Sequence, residues 1–295
     1  MDIVVWVLIV ILILIILYFG ICAYAVLTMT KIGDHPQYDQ DPGSFGLAYE
    51  KVYFQSRGEK LRLAAWFVPR ENANQAIILV HGRNASKQNA ISGRLPSLAA
   101  ECVKAGFSVL MMDLRGHGES EGRRYTWGVL ERKDVLGAVD FLLEKGYLPG
   151  TIYVLGISLG GASVMFATQE EPAIARVVVD STFARLIDLV EPNWKKESGL
   201  PDFFLPGVYF VWKTQYGFNL KDVAPVEAVS AIYPRPVLVL HSQKDEVIPV
   251  QQAYQLAKAS PQVQLHLFED GDHAELYRDH PQAYLKVLFE FLRPE

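Results

Sequence analysis

A chain of 295 residues, half of them hydrophobic, has enough material for one large α/β domain with small additions. Its formal charge is −5 with both signs interspersed, which excludes the basic footprint of a nucleic-acid binder. Two cysteines, Cys22 and Cys102, provide no disulfide framework and leave the redox compartment open.

The chain opens on a stretch without charge from Ile3 to Met29, almost wholly aliphatic between Val4 and Ile16. As a helix rising about 1.5 Å per residue it would be roughly 40 Å long, enough to cross a ~30 Å hydrocarbon core with tilt. A cleaved signal peptide is the alternative, because Ala23-Tyr24-Ala25 resembles a small-x-small cleavage site. Against it stand the length of the apolar run and a flank that carries Asp2 but no Lys or Arg. The expectation is a retained single-pass membrane anchor over residues 1–30. Lys31 on one flank and Asp2 on the other favour a cytoplasmic location for the rest of the chain.

A polar linker is expected over residues 31–46, with Asp34, Pro36, Asp41 and Pro42. The alternating runs Tyr49 to Phe54 and Lys60 to Phe67, joined by Ser56-Arg57-Gly58-Glu59, predict an antiparallel hairpin. Gln75 to Val80 reads as a buried strand ending in His81-Gly82-Arg83-Asn84. Asn84-Ala85-Ser86 is formally a glycosylation sequon, read as coincidence because a glycan would crowd this loop. Phe107 to Asp113 is a further strand. The glycines of Gly116-His117-Gly118-Glu119-Ser120-Glu121-Gly122 lack dinucleotide spacing, and the segment is expected to be a surface turn beside a functional site. From there strands alternate with helical patterns such as Trp127 to Lys145 and Gln251 to Ala259. That rhythm predicts a mostly parallel sheet covered on both faces.

Chemistry concentrates at one pattern. Thr151 to Leu155 is a β-branched run, Gly156-Ile157-Ser158-Leu159-Gly160 follows, and the small-residue stretch from Gly161 to Ala167 reads as a helix. A serine on such a strand–turn–helix apex is lifted clear of the sheet, with the next backbone N–H aimed at a reacting oxygen. A relay on this architecture needs an acid and then a histidine downstream. The strand Pro236 to Asp245 ends in Asp245, and the strand Val263 to Gly271 is followed by Asp272-His273. Both positions lie past the carboxyl ends of strands, where open parallel sheets bind ligands. Glu246 and Asp180 compete with Asp245 for the acid, and His266 and His280 compete with His273 for the base. Arg83 and Leu159 are expected to supply the backbone N–H groups of an oxyanion hole, and His81 is expected to be structural.

Together His81-Gly82, the segment Asp113 to Ser120, Gly156 to Gly160, Asp245 and His273 resemble the α/β-hydrolase superfamily. The resemblance runs from about Ala48 to the end of the chain. It is closest to small-cap serine hydrolases similar to monoacylglycerol lipases and serine-aminopeptidase-like esterases. It implies an α/β-hydrolase fold with a mostly parallel eight-stranded sheet, Ser158 as nucleophile, Asp245 as acid and His273 as base. A serine nucleophile weakens the resemblance to those branches of the fold that use Asp or Cys.

More than fifty residues separate Asp180 from Pro236, where a short crossover would suffice. The hydrolase domain is therefore expected over residues 47–295, with a helical cap insertion at about 183–232. Trp194, Phe203, Phe204, Phe210 and Trp212 within it are candidates for an apolar substrate pocket. Two other uses stay open: packing of the insertion onto the sheet, or an exposed edge leaning on a bilayer. The sequence carries no Walker loop or metal-ligand motif, so cofactor-free chemistry is expected. The resulting expectation is a membrane-anchored hydrolase of apolar carboxylic esters, whose substrate is a small molecule or lipid, working through an acyl-enzyme. The alternatives are an amidase or peptidase, a thioesterase, or a non-catalytic protein that binds a partner or lipid.

Overall fold

The structure is a computed structural model that describes residues 3–34, 36 and 38–293. Asp2, which enters the orientation argument, lies outside them, as do Met1, His35, Gln37, Pro294 and Glu295 at the anchor, linker and domain ends. The chain divides into two compact units: Met1–Lys31 with Arg185–Val223, and Ile32–Ala184 with Ala224–Glu295.

The larger unit is built on β1 (Glu50–Gln55), β2 (Arg62–Val68), β3 (Ala76–Val80), β4 (Ser108–Met112), β5 (Ile152–Ile157), β6 (Ile174–Asp180), β7 (Val237–Ser242) and β8 (Val263–Phe268). They form one eight-stranded sheet in the order β1-β2-β4-β3-β5-β6-β7-β8. The hairpin β1–β2 and the pair β2–β4 are antiparallel, and every later pairing is parallel. Apolar side chains point both ways from the central strands. Ala76, Ile78 and Val80 of β3 face one core, with the helices Glu131–Glu144, Leu159–Glu170, Pro225–Ile232 and Gln251–Lys258. Ile77 and Leu79 face the other, with Leu95–Ala105 and Pro281–Leu292. A strand buried on both sides needs an uninterrupted apolar run, as β3 has, and each such side chain contributes about 2 kcal/mol of burial.

The expected helix from Trp127 starts later, at Glu131, for a local reason. The buried Glu131 carboxylate accepts from Thr126 N, Thr126 Oγ1 and Gly128 N at 2.8–3.0 Å, which holds Thr126–Gly128 as a turn. The polar segment after Lys31 is tied to the larger unit by individual hydrogen bonds. Asp41 caps a short 3₁₀ turn, Pro42–Phe45, and accepts from the Tyr49 hydroxyl at 2.8 Å. Asn84 Oδ1 accepts from Gly33 N at 2.7 Å, so the side chain of the formal sequon is engaged in holding this segment.

The smaller unit joins the helix Ile3–Met29 to the insertion helices Ile187–Ser198 and Leu205–Tyr216. Among the described residues, Ile3–Met29 is the one helix long and apolar enough to cross a membrane. Cys22, Ala25 and Val26 on one of its faces are buried, whereas residues 3–17 are largely exposed. The Tyr18 hydroxyl donates to Phe203 O at 2.9 Å and accepts from Gly207 N at 3.2 Å. At the other end the Tyr216 hydroxyl donates to Thr30 Oγ1 at 3.1 Å.

Candidate active site

β5 ends in a forced geometry. Ser158 has φ 52° and ψ −114°, a left-handed conformation that is costly for any residue with a side chain. The turn is tight because the chain passes close to itself. A Cβ on Gly160 would lie 2.5 Å from the carbonyl oxygens of both Val80 and His81, and one on Gly156 would strike the Gly160 carbonyl. Only glycine fits at either place. Ser158 N donates to Asp180 O at 2.8 Å, which ties the turn to the end of β6.

The structure brings three of the expected side chains together in the larger unit. His273 Nε2 lies 3.0 Å from Ser158 Oγ, and His273 Nδ1 lies 2.8 Å from Asp245 Oδ2. Asp245 is buried past the end of β7, and its Oδ1 accepts from Val247 N and Ile248 N, each at 2.8 Å. Burial pushes this carboxyl up. The hydrogen bond and charge of His273, aided by the two N–H donors, outweigh burial and hold it below the ordinary carboxylate value. Asp245 is thus a carboxylate at neutral pH. In the arrangement shown, a proton on Nδ1 leaves Nε2 to accept from the serine hydroxyl.

The rival residues have other partners. The buried Asp180 accepts from Ser181 Oγ at 2.8 Å, and burial pushes its carboxyl up to about 7, with the Ser181 hydrogen bond opposing. His266 lies within β8. His280 immediately precedes the helix Pro281–Leu292, and its ring contacts Asp270. Glu246 is exposed. His81 is buried at the end of β3, where its Nε2 accepts from Leu114 N at 3.0 Å.

Arg83 follows β3, and Leu159 is the first residue of the helix after Ser158. Neither backbone N–H has an acceptor among the described residues. The Arg83 guanidinium stacks over Trp127, 5.3 Å from the ring centroid, so its side chain is held by an aromatic face. Among the aromatics of the insertion, Trp194, Phe204 and Trp212 are buried, whereas Phe203 and Phe210 are 62% and 61% exposed. Trp194 Nε1 donates to Pro201 O at 3.2 Å, and Trp212 packs on Tyr216 and Phe218.

The segment Gly116–Gly122 is a turn exposed at Gly118, Glu119, Glu121 and Gly122, as expected, and it is anchored from beneath. Asp113, Arg115 and His117 beside and within it are buried. The Asp113 carboxylate accepts from Lys87 N at 2.8 Å, Glu119 N at 2.9 Å and the buried Lys87 ammonium. His117 Nε2 accepts from Asn84 N at 3.3 Å, and its ring meets that of His81 edge-on. This network anchors the loop that carries Arg83, and sequence reasoning did not single it out. The signal available was the pairing of a strand-end Asp113 with glycines that let the turn fold back onto it. Ser181 is a second unforeseen support: its Oγ accepts from Ala274 N at 3.2 Å, beside His273.

A family model described as the alpha/beta hydrolase family matches residues 77–287. The YfhR protein of Escherichia coli is 28% identical over 272 residues, covering 88% of this chain and 84% of its own. The alpha/beta hydrolase domain-containing protein WAV2 of Arabidopsis thaliana is 28% identical over 273 residues, covering 86% and 82%. Among solved structures, an esterase of Pyrococcus furiosus superposes with a TM-score of 0.70 at 21% identity, covering 88% of this chain and 98% of its own.

Proposed function

Because the chain belongs to the alpha/beta hydrolase family, we propose that it is a serine hydrolase acting on apolar carboxylic esters. The observation that carries the reading is the unbroken contact from Ser158 Oγ through His273 to Asp245. In the proposed reaction Ser158 Oγ attacks the ester carbonyl while His273 Nε2 takes its proton. Asp245 holds the imidazole in the required tautomer and stabilises its cation. Negative charge on the carbonyl oxygen meets the N–H groups of Arg83 and Leu159, which need no reorganisation to receive it. The alkoxide then leaves with the proton from His273, and an acyl group remains on Ser158. Water, deprotonated by the same imidazole, attacks that acyl-enzyme, releasing the acid and restoring the serine.

The test is Ser158→Ala in the full chain, assayed on p-nitrophenyl esters and with a fluorophosphonate probe. The expected result is at least a ~1,000-fold loss of kcat and no labelling, with an unchanged circular dichroism spectrum. Retained ester turnover in the variant overturns the assignment. Amide and thioester bonds are open to the same relay, so amino-acid p-nitroanilides and acyl thioesters belong in the panel. A preference for either replaces the ester reading without displacing the three residues.

The same proposal includes a membrane anchor. The helix Ile3–Met29 has the length and composition of a span, and it continues directly into side chains packed against the insertion. Resistance to extraction by alkaline carbonate, in a protein whose intact mass retains residues 3–29, is the expected behaviour. A soluble product lacking them identifies a cleaved signal instead. On the charge of Lys31 the remainder of the chain is assigned to the cytoplasmic side.

A further inference from the structure

We propose that the insertion carries a second membrane contact: Phe203, Pro206 and Phe210 lie at the headgroup–acyl boundary of the leaflet that the helix Ile3–Met29 leaves. The inference rests on the reading of that helix as a membrane anchor. Its occupant is a lipid bilayer.

Within the smaller unit the helices Ile3–Met29 and Leu205–Tyr216 run side by side in the same direction. Tyr18 meets Phe203, Phe204 and Gly207, Phe19 meets Phe210, and Thr30 meets Tyr216. They approach closely because Gly207 leaves room. A Cβ there would lie 2.5 Å from Cys22 Sγ and 2.6 Å from the Tyr18 ring. Small residues that admit such contact are typical of helix pairs within membranes. The insertion helix is therefore held at a fixed level along the anchor.

That level follows from the anchor. Lys31 and Thr30 end the apolar run, and the exposed Tyr24 marks an interfacial ring in the sense of an aromatic belt. Phe19 lies five residues earlier, about 7 Å deeper along a helix axis. Apolar side chains at the headgroup–acyl boundary reach about this depth, ~5–10 Å.

Polarity along the exposed face of the insertion matches the same axis. Phe203, Pro206 and Phe210 are exposed at the end level with Tyr18 and Phe19. Lys213, Thr214 and Gln215 are exposed toward the end level with Thr30. Two phenylalanines, each more than three-fifths exposed and continuous with the anchor's own apolar surface, are placed where water is excluded. The lysine falls where water and lipid phosphates begin.

The experiment uses the full chain in vesicles of palmitoyl-oleoyl phosphatidylcholine, with a nitroxide attached at one introduced thiol. Cys22 and Cys102 are buried, which keeps labelling at the new site. Phe203→Cys, Phe210→Cys, Thr214→Cys and Val10→Cys are compared by collision with oxygen, which enters lipid, and with a nickel chelate, which does not. At Phe203→Cys and Phe210→Cys the oxygen-to-nickel ratio is expected to exceed that at Thr214→Cys by at least about threefold, as for an interfacial apolar face. An aqueous ratio at both, with Val10→Cys still reading hydrocarbon, overturns the inference and leaves the anchor intact. Shielding from both reagents identifies a protein cover, such as a second copy, and also overturns it. An aqueous ratio at Val10→Cys removes the anchor and the second contact together.

Discussion

Asp180 ends one strand and Asp245 lies just past the end of its neighbour, and their surroundings shift the two carboxyls in opposite directions. Asp245 is held below its ordinary value by His273 and two backbone donors despite its burial. For Asp180 burial prevails and the carboxyl is pushed up to about 7 from 3.8. The folded state thus binds a proton at Asp180 that the unfolded chain releases between about pH 4 and 7, so this group makes stability fall as pH rises through that window. Asp180→Asn keeps an acceptor for Ser181 and removes the penalty. The variant should match the parent near pH 4 and exceed it at pH 8 by up to about 4 kcal/mol, three pH units at 1.36 kcal/mol each. Denaturant melts at the two pH values measure the gap, and equal midpoints at pH 8 contradict it. Arg83 provides a different contrast, because its proposed donor is main chain. Arg83→Ala should keep kcat within about tenfold, well short of the hundredfold or more expected when an oxyanion donor is lost. A larger fall measured on p-nitrophenyl acetate would assign the guanidinium itself to the reaction. At this scale the sequence named Ser158, Asp245 and His273 because strand ends and chain order are written in local patterns. It did not disclose Lys87, His117 or Ser181, whose partners lie 26, 33 and 93 residues away.

Elements were legible where one period dominates. β3, β5 and β7 are apolar runs bounded by turn residues, and their places in the sheet follow from parallel crossovers. The start of the helix after Trp127 was not, because the turn before it depends on a buried carboxylate closing onto three donors. The pairing of Ile3–Met29 with Leu205–Tyr216 was equally hidden: nothing in either stretch announces a partner nearly two hundred residues away. Yet the pairing makes a sharp demand at Gly207. Gly207→Leu drives a side chain into Cys22 and Tyr18 and should cost about 1–3 kcal/mol of helix docking. Lys213 on the same helix is exposed, so trypsin reports the undocked population. Cleavage after Lys213 should quicken by about tenfold in the variant, since proteolysis follows the equilibrium share of the open form. An unchanged rate would mean that the helices do not pack through this glycine.

At the scale of the whole molecule, the proposed chemistry and the proposed anchor belong to different units. Ser158, Asp245, His273, Arg83 and Leu159 all belong to the larger unit, whose two cores flank its own sheet. The smaller unit draws one of its helices from the start of the chain and the others from the insertion. Deleting residues 1–31 therefore removes no member of the proposed relay, but it strips Phe204 and Gly207 of the Tyr18 and Cys22 contacts that cover them. An apolar helix face so uncovered joins Phe203 and Phe210 in one larger exposed patch, the kind that drives self-association or detergent binding. The truncated protein should still label at Ser158 with a fluorophosphonate, while sedimenting as oligomers in buffer and as a monomer only in mild detergent. Adding Phe203→Ser and Phe210→Ser to the truncation should shift the oligomers toward monomer, because they remove apolar area from the same patch. Were the truncated chain monomeric without detergent, the N-terminal helix would not be a structural half of its unit, and its contacts with the insertion would carry no weight in solution.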